Sequence, residues 1–135
     1  MTSPHTLLNP SELAPPRGFS HVVIPTVGRL VFLAGQAAQL SDGTVGGTTM
    51  AEQFDIAARN VVTALAGAGA LPQHLVSLQI FVTDVYAYRT ALKEIGPSYR
   101  RRFGNHYPAI ALFEIKGLFD PAAMIELVGI AVVPD

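Results

Sequence analysis

AMIELVGIAVV, residues Ala123 to Val133, is apolar throughout except for Glu126 and Gly129. Period-2 alternation puts Met124, Glu126, Val128 and Ile130 on one face of a strand and Ile125, Leu127, Gly129 and Ala131 on the other. A strand apolar on both faces has to be covered on both faces. Working back along the chain, YPAIALFEI (Tyr107 to Ile115) repeats the character, while LVSLQIFVTD alternates Val76, Leu78, Ile80 and Val82 with Ser77, Gln79, Phe81 and Thr83. These stretches define a sheet with one core face and one mixed or apolar face.

Helical signals sit between the strands. Thr49 followed by Glu52 fits a capping box, and Met50, Phe54, Ala57, Ala58, Val61 and Leu65 recur at helical spacing until Gly67 and Gly69 end the pattern. Asp84 caps a second helix with the stripe Tyr88, Ala91, Leu92, Ile95, Tyr99 and Phe103, in which Gly96-Pro97 is expected to cause a kink or split. FSHVVIP and RLVFLAGQ flank TVGR and read as a hairpin; AAQLSDGTVGG reads as a loop with at most a short β excursion. Residues 1–17, rich in Pro and polar groups, read as an extended arm, and residues 18–135 as a single domain. The order β-β-α-β-α-β-β predicts an α+β fold with one mixed sheet and two helices on one of its faces. Another copy of the same sheet is the most economical cover for the second face.

Composition agrees with self-association. Half of the 135 residues are hydrophobic and only 14% are charged, more apolar than the interior of a small monomer requires. A formal net charge of −1 carries no nucleic-acid signature. No uncharged apolar run reaches the roughly 18–20 residues of a bilayer span, and the start MTSPHTLLNP lacks a signal peptide's basic and apolar regions. The expectation is a soluble, cytoplasmic protein with no membrane partner. Without cysteine there is no disulfide, thiolate metal site or Cys nucleophile.

Glu126 is the residue most suggestive of chemistry. A carboxylate inside an apolar strand must find a partner or raise its pKa, and a raised pKa suits a general acid/base near neutrality. The structural alternative is a pairing with an arginine or a backbone amide. Glu114 lies close to Lys116 and reads as a solvated pair. His5, His21, His74 and His106 lack metal-ligand spacing, so no metal is expected. Arg100, Arg101 and Arg102 read either as cations complementing a helix dipole or as an anion clamp.

GFSHVV, GRLVFLAGQ with DGTVGG, the AGA helix end, VSLQIFVTD, YPAIALFEI and MIELVGIAVV together resemble the RidA/YjgF family of reactive-intermediate deaminases along nearly the whole chain. The resemblance implies a chorismate-mutase-like fold, a homotrimer whose sheets line a central barrel, and ligand clefts between subunits. It also implies that Glu126 positions the water that hydrolyses an imine or enamine, without a cofactor. Ile110 follows Pro108-Ala109, where deaminating members carry the arginine that clamps the substrate carboxylate. Phe19 and Ala34 stand at positions where the family has hydroxyls, and Gly35 is retained. The implied ligand-contacting set is therefore Phe19, Ala34, Gly35, Tyr107, Ile110 and Leu112 around catalytic Glu126. The favoured reading is a cofactor-independent hydrolase of an imine, enamine or related C–N substrate that is not of the 2-aminoacrylate type. The alternative is a non-catalytic trimer that binds a small metabolite. Arg17, Arg89, Arg102 and His106 are left as residues whose reach into the cleft the sequence does not decide.

Overall fold

Helix α1, Met50–Gly67, begins where the sequence places it. The Thr49 hydroxyl accepts the Glu52 N–H, and the Glu52 carboxylate accepts the N–H groups of Thr48 and Thr49, so donors that would be orphaned at a helix start are satisfied. Its Phe54, Ala57, Ala58, Val61 and Leu65 are completely buried. The computed structural model describes residues 2–135.

Strands β1 (Thr6–Leu8) and β2 (Val22–Ile24) pair with each other and form a small sheet of their own. The main sheet contains β3 (Gly28–Phe32), β4 (Gln36–Ala37), β5 (Leu75–Val82), β6 (Ala109–Glu114) and β7 (Ile125–Pro134), with order β3-β7-β5-β6 and β4 also on β7. Only β5 and β6 run parallel, joined through α2 (Val85–Thr90) and α3 (Leu92–Phe103). The last strand is thus central, its Ile125, Leu127, Gly129 and Ala131 face buried and its Glu126, Val128 and Ile130 face half-buried.

Three expectations change. The hairpin across TVGR does not form: β2 pairs with β1 of the N-terminal arm, and β3 pairs antiparallel with β7. The second helical segment breaks at Ala91, not at Gly96-Pro97, because the Ala91 N–H closes back on Ala87 and Tyr88 while α3 runs through Pro97. A register shift between Leu75 and Ser77 interrupts the β5 alternation, so Leu75 takes the core place expected of Val76.

The core lies between one sheet face and the helices. Leu75, Leu78, Ile80 and Val82 of β5 and Ile125, Leu127 and Ala131 of β7 meet the α1 stripe and Ile95, Tyr99 and Phe103 of α3. Each large side chain buried there contributes about 1.5–3 kcal/mol. The opposite sheet face is uncovered within the chain. Leu30, Phe32 and Phe113 are 57, 70 and 44% exposed, and Phe81 stacks on Phe113 at 5.5 Å between ring centroids.

Candidate functional site

Glu126 lies on that uncovered face. In β7 it alternates with the fully buried Ile125 and Leu127, and its register partners are Phe81 of β5 and Ala37 of β4. The side chain is half-buried. Among the described residues it has no hydrogen bond and no cation within 4.0 Å, so none of them serves as the arginine or amide partner of the structural alternative. Gly35, in the turn between β3 and β4, runs directly against it: a Cβ on Gly35 would fall 2.6 Å from Glu126 Oε2. Ala34 and Gly35 are both exposed beside the carboxylate.

The remaining predicted residues form a second group. Ile110 pairs with Leu78 and Leu112 with Ile80, so both project to the helix side of the sheet. They floor a cavity of about 650 Å³, bounded by α3 and by the segment before β2, within the range typical of ligand pockets. Phe19 and Tyr107 line it too, the Tyr107 ring stacked parallel to Tyr99 at 5.0 Å. The Phe19 wall is pinned by Ser20, whose N–H donates to the Pro108 carbonyl and whose hydroxyl donates to the Tyr107 carbonyl. Gly18 has a φ of 76°, a left-handed turn that a side chain would strain, and this bend brings Phe19 back to the cavity.

Two predicted clusters, one of Ala34, Gly35 and Glu126 and one of Phe19, Tyr107, Ile110 and Leu112, therefore sit on opposite faces of the same sheet. A single chain does not converge them on one ligand.

The undecided residues separate clearly. Arg102 is spent on Asp55, its Nε and Nη2 donating at 3.0 and 2.7 Å, with Arg101 and the Ser98 hydroxyl on the same carboxylate. That network holds the Asp55 carboxyl well below the usual carboxylate range, mainly through Arg102. Arg89 does not line the cavity, whereas Arg17 does. His106 is buried away from it, donating from Nε2 to the Leu75 carbonyl, and burial lowers its pKa. Glu114 accepts the Val85 N–H at 3.0 Å and so caps α2 instead of pairing with Lys116.

Sequence reasoning missed Tyr88 as a cavity residue, and it offered Arg100 as part of an anion clamp without singling it out from Arg101 and Arg102. The signal for Arg100 was its four-residue spacing after Leu92 and Gly96, which extends the helical stripe. Burial pushes the Tyr88 hydroxyl up to about 12, so it stays protonated, and it has no hydrogen-bond partner among the described residues. No three His, Cys, Asp or Glu side chains among the described residues are grouped as a metal set, and no described helix is long and apolar enough to cross a membrane.

The sequence profile described as Endoribonuclease L-PSP matches residues 10–133. The chain belongs to the Endoribonuclease L-PSP family. This is the YjgF/RidA grouping, and solved structures agree. A Rid-family protein of unknown function from Yersinia pestis, YyfB, superposes with a TM-score of 0.85 at 28% identity, covering 96% of this chain and 98% of that one. A Mycobacterium tuberculosis member of the YjgF/YER057c/UK114 family gives 0.65 at 27% identity, covering 96 and 99%. RidA from an Antarctic Psychrobacter, at 18% identity with 89 and 92% covered, shares the fold with a TM-score of 0.68. A comparison with curated proteins finds no match. Within the Endoribonuclease L-PSP family, this chain combines Glu126 in its last strand with Ile110 on the strand that floors the cavity.

Proposed function

We propose that the protein hydrolyses an imine, enamine or related C–N substrate in a cleft completed by a second copy of the chain, most simply within a homotrimer of the cytoplasm. One subunit would contribute Glu126 and Gly35 from its uncovered sheet face, and its neighbour the cavity over Ile110. The observation that carries this reading is a half-buried carboxylate with no protein partner among the described residues, surrounded by apolar groups. Such a group is available to hold a water and take its proton.

The chemistry needs no cofactor, because an iminium carbon is already electrophilic. As Glu126 accepts a proton, the water oxygen bonds to the imine carbon. Return of that proton to nitrogen makes ammonia the leaving group; as the C–N bond breaks, Glu126 takes the proton of the new hydroxyl, so that the ketone forms, and passes it to the departing ammonia as ammonium. Glu126→Gln keeps the shape and loses the base. The test generates imines in situ with an amino-acid oxidase and measures ammonia release at matched oligomeric state. Turnover that survives Glu126→Gln would eliminate the proposed role.

A second reading is favoured by one specific observation: Ile110 leaves the cavity floor without a cation. On that reading the clefts bind a small metabolite without turning it over, and ligands raise the melting temperature with no ammonia released. The balanced charge, with Arg101 and Arg102 both engaged by Asp55, supports neither RNA binding nor a nuclease activity.

A further inference from the structure

The cavity over Ile110 is apolar at its floor, yet two guanidinium groups are among its walls. Arg17 comes from the segment before β2 and Arg100 from α3. Neither has an acidic partner within 4.0 Å among the described residues, although Arg101 and Arg102 beside Arg100 are both paired with Asp55. No Asp or Glu lines this cavity. Two unneutralised cations and no anion around an apolar space make it complementary to an anion with a hydrophobic body.

Local backbone geometry brings both arginines to the cavity. Arg17 follows Pro15-Pro16, whose fixed φ stiffens the approach, and it lies three residues before Ser20, which is hydrogen-bonded to the Tyr107 and Pro108 carbonyls. Arg100 bends back along its helix over Gly96: a Cβ there would meet Arg100 Nη1 at 3.7 Å, an ordinary van der Waals contact. Gly96 itself lines the cavity, so the guanidinium lies beside the space it serves. Tyr88 adds a protonated hydroxyl without a protein partner.

We infer that this cavity takes a carboxylate with a bulky apolar or aromatic body, gripping the carboxylate from its rim with Arg17 and Arg100 and seating the body against Ile80, Ile110 and Leu112. The inference rests on the reading of this cavity as the substrate half of the cleft, and it narrows the substrate to aryl or branched 2-imino acids. The isoleucine on the floor then enlarges the apolar seat, while anion recognition moves to the wall.

Stable 2-oxo acids, the corresponding products, serve as probes on the full-length chain. Phenylpyruvate is expected to bind at least tenfold more tightly than pyruvate, which lacks the ring, and than phenylacetone, which lacks the carboxylate. Arg100→Gln and Arg17→Gln should each weaken phenylpyruvate binding about tenfold or more, and Arg100→Lys should restore part of it. Both arginines are exposed, so unchanged melting temperatures verify that the variants fold. Equal binding of phenylacetone, or arginine variants that bind like the wild type, overturns the inference. The hydrolytic reading fails separately: phenylpyruvate binding that depends on both arginines, with no ammonia released from any imine, leaves the anion site standing and removes the catalysis. Ammonia release unaffected by either arginine does the reverse.

Discussion

The backbone of Gly35 and the carboxylate of Glu126 are in contact across the β4–β7 edge, so close that a Cβ on Gly35 would lie 2.6 Å from Oε2 and 2.7 Å from Cδ. Gly35 does not have a positive φ, so its requirement there is space, not backbone freedom. Gly35→Ala is expected to push the carboxylate aside while costing the fold less than about 1 kcal/mol, because the obstructing atoms are the end of a side chain that can rotate. Ammonia release should fall at least tenfold with the melting temperature nearly unchanged. Wild-type turnover in Gly35→Ala would show that the carboxylate's position is unimportant.

The uncovered sheet face makes its own prediction. Phe32 is 70% exposed and lies across from Ile130 in the β3–β7 register, on the same face as Glu126. If copies pack through this face, Phe32→Glu buries an unpaired charge at each contact and should dissociate the assembly. Sedimentation or light scattering would report a smaller particle with intact secondary structure. An unchanged mass would mean that the face is not the interface.

Asp55 joins α1 to α3 through Ser98, Arg101 and Arg102, and its side chain is 27% exposed. Asp55→Asn should lower stability at neutral pH by about 1.5–3 kcal/mol, the range for hydrogen bonds to charged groups. The folded pKa lies below the ordinary value of 3.8, so the stabilisation is present above that value and is lost as pH falls below it. Denaturant melts at pH 7 and pH 3 should show the gap between wild type and variant shrinking at the lower pH.

His106 gives the opposite kind of titration, with the same direction on acidification. Burial, opposed by its hydrogen bond to Leu75, lowers its pKa below 6.5, and His5 and His74 add smaller repulsions. At pH 7.5 the folded and unfolded forms are both neutral. As pH falls through about 6.5 the unfolded chain takes up a proton that the folded chain resists, so stability drops. His106→Asn, which can still donate to the Leu75 carbonyl, should flatten the melting-temperature slope between pH 7.5 and 5. An identical slope in the variant would assign the acid sensitivity to other groups.

Much of the fold could be read directly. The α1 capping box, its buried stripe and the two-faced apolar β7 are local patterns, since a cap needs residues three apart and a strand's faces follow from period 2. Partner choice could not be read. Val22–Ile24 and Gly28–Phe32 look like a hairpin because they are close in sequence, but β2 meets Thr6–Leu8 and β3 meets the last strand, pairings that proximity along the chain does not encode. The bulge after Leu75 and the helix break at Ala91 likewise depend on tertiary fit.

By itself the sequence determined that the chain makes an α+β fold of this family and that Glu126 is an acid in apolar surroundings, because residue type and spacing are properties of the chain. Only the tertiary structure decided that Glu126 and Ile110 face opposite sides of one sheet, that Arg102 is spent on Asp55, and that Arg17 and Arg100 meet at one cavity. The reason is physical: which side chains converge is set by strand order and by the direction each helix crosses the sheet, and those follow from the burial of the whole apolar surface, not from any segment alone.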